Sequence, residues 1–348
     1  MRIAQVSPLF ERVPPPGYGG IELVVSRLTD ELVRRGHEVT LFASGDSETL
    51  AHLESVIPQS TRLDPSIKEP LVYDLLQFHR LTELAPSFDI IHCHVGIVAP
   101  PFVAMANLPA VHTLHGIFTS DNRQLYSQYR DQAFISISKA QRDPSLSLNY
   151  VGNVYNGIDP QDYPFHPHPQ NPPYLAFLGR LSPEKGPLEA ISIAHATGWR
   201  LKMAGKVDVL NQEYYEQKIA PLIDGDQIEY LGELNHAGKV NLIGNAAVTL
   251  FPITWPEPFG LVMIESMCTG TPVLGIGLGA VPEVIANGKS GYVCPTLDKM
   301  ISKLSDTLAL NRQTCRDQVL SHFTVTTMVD GYEEIYRQLI KTVGTRPN

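Results

Sequence analysis

The feature that most constrains this chain is a regular alternation of short apolar segments with longer segments whose apolar residues recur at helical spacing. Residues 3–6 form an apolar run, residues 21–32 place apolar side chains every three or four positions, and residues 37–43 form a second run. This order predicts a βαβ unit, in which a helix connects two parallel strands of one sheet. The chain therefore begins as an α/β protein.

The alternation continues through both halves of the 348 residues, a length that suits two domains. Two such series predict two facing Rossmann-like domains, each built on a doubly wound parallel sheet. Ligands of these sheets bind beyond the carboxyl ends of the strands, so the predicted site is a cleft between the domains. The further predicted strands cover residues 89–94, 110–115, 133–138, 151–155, 174–179, 201–205, 228–231, 247–251 and 272–275.

A proline-rich stretch separates the two series. Residues 160–173 contain repeated prolines and no helical periodicity, which is typical of a linker. We therefore expect an N-terminal domain over residues 1–158, a linker over 159–172 and a C-terminal domain over 173–325.

The charge balance limits the partners of the chain. It carries 27 basic and 36 acidic residues, a net charge of −9, which argues against nucleic acid or an anionic membrane as the main partner. No apolar run reaches the roughly 18 residues that a membrane helix requires, and the N-terminus lacks the pattern of a signal peptide. The four cysteines are far apart and form no CxxC, which favours reduced thiols in a cytoplasmic protein.

Two cations surround a predicted turn between a strand and a helix in the second half. Arg180 follows the strand that ends at Gly179, and Lys185 precedes a helix that begins near Pro187. Two cations beside backbone N–H groups at such a junction form an anion site. The alternative is a surface turn with two solvated charges.

Two acids stand on either side of a loop-to-helix junction further along. Glu257 lies in a loop held by prolines and a glycine, and Glu265 lies in the helix predicted from Leu261 onward. A fully helical spacing would separate the two acids by about 12 Å, so they suit hydroxyl groups at two ends of a long ligand. The N–H groups of Phe259, Gly260 and Leu261 would suit a phosphate between them. The alternative is an ordinary helix-start acid and a helix-surface acid.

The first half offers weaker candidates. Gly19 and Gly20 precede a helix and let the backbone approach a ligand, although they do not form a GxGxxG motif. His115 lies at the end of a predicted strand, where ligand groups belong, and a structural histidine is the alternative. No CxxC or ExxH supports a metal site, and none is predicted. The other histidines near these strand ends are His92, His94 and His112.

Together these motifs resemble those of the retaining GT-B glycosyltransferases of family 4, the glycosyl transferases group 1. The resemblance extends over nearly the whole chain. Its most specific signal is the spacing of Glu257 and Glu265, with seven residues between them, which matches the family's EX7E motif. The other segments that resemble the family are residues 19–22, 113–116, 156–159 and 179–186.

The resemblance implies a GT-B fold and a role for each motif in the second domain. Arg180 and Lys185 would neutralise the donor diphosphate, with no metal ion. Glu265 would bind the ribose hydroxyls, and Glu257 would contact hydroxyls of the transferred sugar. The N–H groups of Phe259, Gly260 and Leu261 would lie nearby, and Tyr230 and Leu231 would lie near the base.

The resemblance also implies that the second domain binds the nucleotide sugar and that the first is the acceptor-side domain, with roles of its own. Gly19 and Gly20 would approach the diphosphate, and His115 would contact the donor sugar near the reacting carbon. A terminal helix over residues 326–343 would cross back onto this domain. No feature of residues 46–86 points to an acceptor.

The function implied is transfer of a hexose from a UDP- or GDP-sugar to a hydroxyl acceptor of unknown class, with retention of configuration and by front-face attack. The nucleotide sugar is a substrate, so no cofactor is expected. Membrane contact is known in the family but nothing in this sequence indicates it.

Several alternatives remain at this point. A sugar-nucleotide epimerase of GT-B fold shares the architecture, while an α-glucan phosphorylase would need a longer chain. A nicotinamide-dependent oxidoreductase would need a GxGxxG after the first strand, which is absent here. A regulatory protein that binds sugar nucleotides without catalysis is the fourth.

Overall fold

The computed structural model describes residues 1–17, 19–106 and 109–344, and the chain divides into two compact units. The first unit contains residues 1–157 together with the described residues from 325 onward. The second unit is the continuous segment 158–324. Each unit is built on one parallel sheet, as the βα alternation predicts.

The described part of the first unit has a seven-stranded sheet in the order β3-β2-β1-β4-β5-β6-β7. The central strands are buried on both faces, which explains their continuous apolar runs. The strand order changes direction beside β1, and a crevice opens beyond the carboxyl ends of strands at such a point. The elements are β1 (Arg2–Val6), α1 (Gly20–Arg34), β2 (Glu38–Phe42), β3 (His52–Glu54), α2 (Pro70–Leu84), β4 (Ile90–Cys93), α3 (Ala99–Met105), β5 (Ala110–Leu114), α4 (Ser120–Gln128), β6 (Ala133–Ser136) and β7 (Tyr150–Asn153).

The second unit has a six-stranded sheet in the order β10-β9-β8-β11-β12-β13. Its order changes direction beside β8, so the loops that follow β8 and β11 leave the sheet next to each other. The elements are β8 (Leu175–Leu178), α5 (Pro187–Thr197), β9 (Leu201–Ala204), α6 (Gln212–Tyr214), β10 (Ile228–Tyr230), α7 (His236–Asn245), β11 (Val248–Phe251), α8 (Leu261–Cys268), β12 (Val273–Ile276), α9 (Val281–Val284), β13 (Gly291–Cys294), α10 (Leu297–Leu308) and α11 (Arg312–His322).

The proline-rich segment 159–172, expected as a linker, instead packs within the second unit. Tyr163 is buried, and the guanidinium of Arg316 donates to the carbonyls of Tyr163 at 2.7 Å and Pro160 at 3.2 Å. The N–H of His166 donates to the carbonyl of Thr269 at 2.9 Å. The segment contains no α-helix, as predicted, and only a short 3-10 turn at Pro160–Asp162, but such a segment can still bury a ring and satisfy its carbonyls.

The last helix, α12 (Val325–Gly344), belongs to the first unit. Tyr332 and Tyr336 of this helix are fully buried, and their hydroxyls bond to residues of the sheet. Arg35, at the end of α1, forms ion pairs with Asp330 at 2.7 Å and Glu333 at 3.0 Å. The final helix is therefore a structural part of the unit that begins the chain.

All four cysteines are buried free thiols. Within residues 1–17, 19–106 and 109–344, no helix has the length and apolar character needed to cross a membrane.

Candidate active site

The loop after β8 is fixed against the loop after β11. The N–H of Thr254 donates to the carbonyl of Glu184 at 3.0 Å, and its hydroxyl donates to the carbonyl of Pro183 at 3.1 Å. Because β8 and β11 are neighbours in the sheet, their carboxyl-end loops meet without any long connection. This contact brings the segment with Lys185 beside the segment with Glu257.

Lys185 and Glu257 form an ion pair with a distance of 2.5 Å between Nζ and Oε2. The indole N–H of Trp255 donates to the same carboxylate oxygen at 2.8 Å. The Lys185 ammonium also lies 4.8 Å from the centre of the Trp255 ring. Glu257 is only 8% exposed, so this carboxylate is oriented by two donors in a partly dehydrated setting.

Arg180 lies in a second group of ion pairs at the same end of the sheet. Its guanidinium bonds to Glu184 at 2.9 Å and to Asp208 at 3.4 Å, and Lys206 bonds to Asp208 at 2.8 Å. Burial alone would raise the pKa of Asp208, but Lys206 and Arg180 outweigh it and lower that pKa. The side chains of Arg180 and Lys185 are 26% and 18% exposed, so they are not the solvated charges of the alternative interpretation.

Lys206 and Asp208 were missed by the sequence reasoning. They follow β9, which neighbours β8, so the sheet order brings them to Arg180. The sequence signal that could have indicated this group was Lys206, a cation directly after a predicted strand.

Glu265 lies one turn into α8, which begins at Leu261 as predicted. The side chain of Glu265 is almost fully buried, and its Oε1 accepts a hydrogen bond from the hydroxyl of Tyr163 at 2.9 Å. Gly260 is the N-cap of this helix, and within the described chain no residue accepts from the N–H groups of Gly260 or Leu261. Phe259 is buried, with its ring centre 5.9 Å from that of Phe323.

The loop after β12 closes on Glu257 from the other side. The N–H of Ala280 donates to the carbonyl of Glu257 at 2.9 Å. Gly279 has a φ of +57°, and a Cβ at this position would collide with the backbone of Glu257. Gly279 therefore holds Glu257 in place, a role that its position in the sequence did not reveal.

Tyr230 and Leu231 lie at the end of β10, at the edge of the sheet. The hydroxyl of Tyr230 donates to the carbonyl of Gly205 at 2.7 Å, and its ring centre lies 5.6 Å from that of Tyr215. Leu231 packs against a buried cluster that includes Leu178. The two residues are partly buried, and Tyr230 is linked through Gly205 to the end of β9.

The first unit has a cavity of about 370 Å³ at the carboxyl ends of β1, β4 and β5. His115 lines it, and so does Ile21, the residue after Gly20. A Cβ on Gly19, whose φ is +145°, would lie 2.6 Å from Cβ of Pro15, so the chain passes close to that proline. The lining residues are Pro8, Ile21, Asp74, His94, Val95, Gly96, Ile97, Leu114, His115, Gly116, Ile117, Phe118, Asn122 and Tyr126.

A buried hydrogen-bond network connects His115 to helix α12. Nε2 of Gln5 donates to the hydroxyl of Tyr336 at 3.0 Å, so Oε1 of Gln5 accepts from Nε2 of His94 at 3.0 Å. Nδ1 of neutral His94 is then an acceptor, and Nε2 of His115 donates to it at 2.9 Å. This order of donors leaves Nδ1 of His115 as a hydrogen-bond acceptor.

The network keeps its histidines neutral. Burial lowers the pKa of His94 well below its usual range, and neighbouring histidines add to this effect. Burial lowers the pKa of His115 to about 4. His92 bonds to Tyr336 at 2.5 Å and to Thr113 at 2.7 Å, so both of its ring nitrogens are occupied.

His112 does not join this network and instead bonds to Gln132 at 2.6 Å. In the described segments, no group of three or more histidine, cysteine or acidic side chains is arranged to hold a metal ion.

Comparison with known families decides between the alternatives. Residues 160–319 match the model of the glycosyl transferases group 1, and residues 18–162 match that of glycosyltransferase family 4. The chain is a group 1 glycosyltransferase. Neither family supports the epimerase, oxidoreductase or non-catalytic alternatives, so this glycosyltransferase is an enzyme of the transferase class.

Full-length relatives agree with this assignment. The glycogen synthase of Mycobacterium tuberculosis is 25% identical, with 97% of this chain and 94% of the relative aligned. The N-acetyl-alpha-D-glucosaminyl L-malate synthase of Bacillus anthracis is 24% identical, with 94% and 96% aligned. The names of these two enzymes describe different products, so the similarity establishes the class of the glycosyltransferase and leaves its acceptor open.

Solved structures confirm the GT-B fold of this glycosyltransferase. AviGT4, a glycosyltransferase involved in avilamycin A biosynthesis, has a TM-score of 0.72 at 25% identity, with 98% of each chain aligned. The sucrose-phosphate synthase of Thermosynechococcus elongatus has a TM-score of 0.80 at 17% identity, with 98% of this chain and 99% of that chain aligned.

Proposed function

We propose that this glycosyltransferase moves a hexose from a nucleotide diphosphate sugar, with UDP or GDP as the nucleotide, to a hydroxyl acceptor with retention of configuration. The observation that carries the proposal is the cluster at the carboxyl end of β8. There Lys185, Glu257 and Trp255 are held together, and Arg180 lies in the adjacent group of ion pairs.

The cations of this cluster suit a diphosphate. Arg180 and Lys185 each have a carboxylate partner, which phosphate oxygens can replace with charge-assisted hydrogen bonds of similar strength. The N–H groups of Gly260 and Leu261 add donors at the positive end of a helix. When the sugar–phosphate bond breaks, these groups stabilise the negative charge that develops on the leaving diphosphate. Charge neutralisation by side chains is the basis for proposing a reaction without a metal ion.

The two acids suit hydroxyl groups of the donor. Glu265 keeps an orientation set by Tyr163, and we assign it to the ribose hydroxyls. Glu257 has an orientation set by Lys185 and Trp255, and we assign it to hydroxyls of the transferred sugar. Tyr230 and Leu231 are assigned to the surroundings of the base, and the N–H group of Phe259 to the phosphates.

The first unit supplies the remaining groups. We assign Gly19 and Gly20 to the backbone approach to the diphosphate, and His115 to contact with the donor sugar near the reacting carbon. We assign neither acid as a nucleophile that would form a covalent sugar intermediate. We therefore propose front-face attack, in which the acceptor oxygen bonds to the sugar carbon and the leaving phosphate takes its proton.

The relatives support a nucleotide sugar as donor only by analogy. Anabaena HepE shares the fold, with a TM-score of 0.73 at 18% identity over 97% of this chain and all of that chain, and its structure contains UDP and glucose.

The test is replacement of Lys185 with alanine. The full chain is first screened against a panel of UDP- and GDP-sugars by thermal shift, since a ligand at 100 times its Kd stabilises a protein by about 2.7 kcal/mol. We expect Lys185→Ala to abolish the shift and to reduce nucleotide release at least about 100-fold. The control is Lys289→Ala, which removes an exposed lysine and should change neither the thermal shift nor the rate of nucleotide release. Full activity of Lys185→Ala, or an effect of chelators on turnover, would contradict the proposal.

A further inference from the structure

The cavity of the first unit contains an acid that no motif had suggested. Asp74 lies on α2 and lines the cavity, half-buried. Among the residues that the structure describes, none forms a hydrogen bond or an ion pair with its carboxylate. Burial raises the pKa of Asp74, and no neighbouring charge contributes. An unpaired carboxylate facing a cavity is available to a ligand.

Two other polar side chains of the lining, those of Asn122 and His94, are already engaged. The side chain of Asn122 accepts from the N–H of Thr119 at 2.8 Å and donates to the carbonyl of Ile117 at 3.1 Å. Both ring nitrogens of His94 are bonded within the network. Among the described side chains of the lining, those with an acceptor that has no assigned partner are Asp74, His115 at Nδ1 and Tyr126 at its hydroxyl.

The rest of the lining is apolar and carries no compensating cation. Ile97, Ile117 and Phe118 form part of the wall, and Ile97 is 50% exposed. The described residues around the cavity include no lysine and no arginine. The apolar surface extends along α2, where Leu71, one turn before Asp74, is 57% exposed. A lining of this kind favours apolar surface and disfavours an anion.

We propose that this cavity binds the acceptor, and that the acceptor is an uncharged alcohol with an apolar ring or chain beside its hydroxyl groups. A hydroxyl of the acceptor donates to Asp74, which orients it, while the apolar part packs against Ile97, Ile117 and Phe118. The volume of about 370 Å³ fits a ligand of one or two rings.

This inference rests on the proposed function, because His115, which lines the same cavity, is assigned there to the donor sugar. The reacting hydroxyl oxygen bonds to the sugar carbon, the bond from that carbon to the phosphate oxygen breaks, and the proton passes to the departing diphosphate. Asp74 is a positioning residue in this scheme, since the proton does not remain on it.

The test uses two matched pairs of probes and ligand-observed NMR on the full chain. The first pair is 1,4-benzenedimethanol and 4-(hydroxymethyl)benzoate, which share a ring and a hydroxyl and differ in charge. The second pair is methyl α-D-glucopyranoside and D-glucose 6-phosphate. We expect 1,4-benzenedimethanol to bind tightest, and at least tenfold tighter than the benzoate. The inference is overturned if either anion binds as tightly as its neutral partner or more tightly. It is also overturned if the glucoside binds more tightly than 1,4-benzenedimethanol, or if 1,4-benzenedimethanol does not bind.

Variants identify the cavity as the site of binding. Asp74→Asn removes the charge and keeps the size, so the preference for the neutral member of the first pair should fall to about twofold. Ile97→Ser should weaken the binding of 1,4-benzenedimethanol several-fold. The matched control is Glu83→Gln, an acid on the same helix that does not line the cavity. A preference that is unchanged in Asp74→Asn contradicts the assignment.

Nucleotide binding separates this inference from the proposed function. Thermal shift with the UDP- and GDP-sugar panel should give the same result for Asp74→Asn and the unmodified chain. If a nucleotide sugar binds but the cavity prefers an anion, the acceptor class is wrong and the proposed function stands. If no nucleotide sugar binds, the donor proposal fails, whatever the probes show.

Discussion

The two candidate binding regions of this glycosyltransferase maintain their geometry by opposite electrostatic means. In the second unit, Arg180 and Lys185 are each paired with a carboxylate, so the region is built from full charges. In the first unit, Gln5, His94 and His115 are connected by hydrogen bonds between neutral groups. Both regions lie at the carboxyl ends of parallel strands, so the fold determines where they lie but not how they recognise a ligand.

The difference shows which kind of ligand each region can accept without rearrangement. A cation paired with a carboxylate can exchange that partner for a phosphate, because the exchange preserves the charge balance. A neutral network in a desolvated setting offers directed acceptors and donors but cannot compensate an anion. The first region therefore suits hydroxyl groups, and the second suits a diphosphate.

The largest effect is expected when the central acid of the charged region is removed. Glu257→Gln keeps the size of the side chain but removes the charge that pairs with Lys185 and replaces one of the two oxygens proposed to accept from sugar hydroxyls with an NH2 group. We expect kcat/KM to fall about 100-fold, measured as nucleotide release at varied donor concentration. Glu213→Gln, an exposed acid on the same unit, is the control. A variant as active as the unmodified chain would remove Glu257 from the site.

A smaller loss is expected from Gly279→Ala, which changes no charge. The added methyl collides with the backbone of Glu257, and the φ of +57° disfavours a side chain there. We expect donor affinity to fall about 10- to 30-fold while His92, His94, His112 and His115 keep their NMR shifts. Gly198→Ala, whose Cβ meets open space at a similar φ, controls for backbone strain alone. Equal losses in the two variants would mean that the contact with Glu257 is unimportant.

Lowering the pH should affect the first region before the second. Burial lowers the pKa of His112 and of His115 to about 4, while a histidine in the unfolded chain protonates near pH 6.5. The unfolded chain therefore binds more protons between these values, and the free energy of unfolding falls as the pH drops from 6.5 to 4. Each such histidine contributes up to about 1.4 kcal/mol per pH unit, or tenfold in the unfolding equilibrium.

Urea denaturation at pH 7 and at pH 5.5 measures how steeply the free energy of unfolding depends on pH. The pKa of Asp208 is lowered, so the second region should contribute only at lower pH, below about 4. His112→Gln should reduce the slope between pH 7 and 5.5, and replacement of the exposed His79 should not. Equal stability at the two pH values would show that these histidines are not buried as neutral groups.

A moderate effect is expected from Tyr336→Phe, at a residue that does not line the cavity. The variant loses the hydroxyl that accepts from Gln5 and bonds to His92, so the protonation pattern that reaches His115 is no longer defined. We expect kcat to fall about fivefold with little change in donor KM, and the stability to fall by about 1–3 kcal/mol. The control is Tyr129→Phe on the same unit. If kcat is unchanged while stability falls, the network is structural and does not act on the site.

The smallest effect is expected from salt. Raising the salt concentration from 0.05 to 0.5 M should weaken nucleotide binding a few-fold, because the cations of the second unit are partly exposed and are screened. Binding of 1,4-benzenedimethanol should stay within about 1.5-fold. Calorimetry measures both, and an equal dependence on salt would contradict the contrast between the regions.

The features that the sequence reasoning predicted are those carried by contiguous residues. The βα alternation is local, and it predicted both sheets apart from their edge strands β3 and β13. Arg180 and Lys185 lie within one turn, and Glu257 and Glu265 within one loop and helix, so motifs pointed to all four. Their roles remain predictions, while their proximity at one end of the sheet is observed for Lys185 and Glu257.

The features that it missed depend on contacts between distant residues. Gln5 and Tyr336 are 331 positions apart, and only the folded unit brings them together. Asp74 was passed over because nothing in the sequence of residues 46–86 shows that its carboxylate lines a cavity, which only the folded unit forms. The linker expected over 159–172 was wrong because proline content reports on helix formation but not on packing.

The place of α12 in the first unit has a consequence for the order in which the protein matures on the ribosome. The second unit is one uninterrupted stretch and can finish folding soon after its last residues emerge. The first unit, although translated first, cannot form the hydrogen bonds from Gln5 and His92 to Tyr336 until that residue has left the exit tunnel. The unit that is translated first is thus completed last. A nascent chain stalled before α12 would lack the hydrogen bonds that connect the network of His94 and His115 to Tyr336.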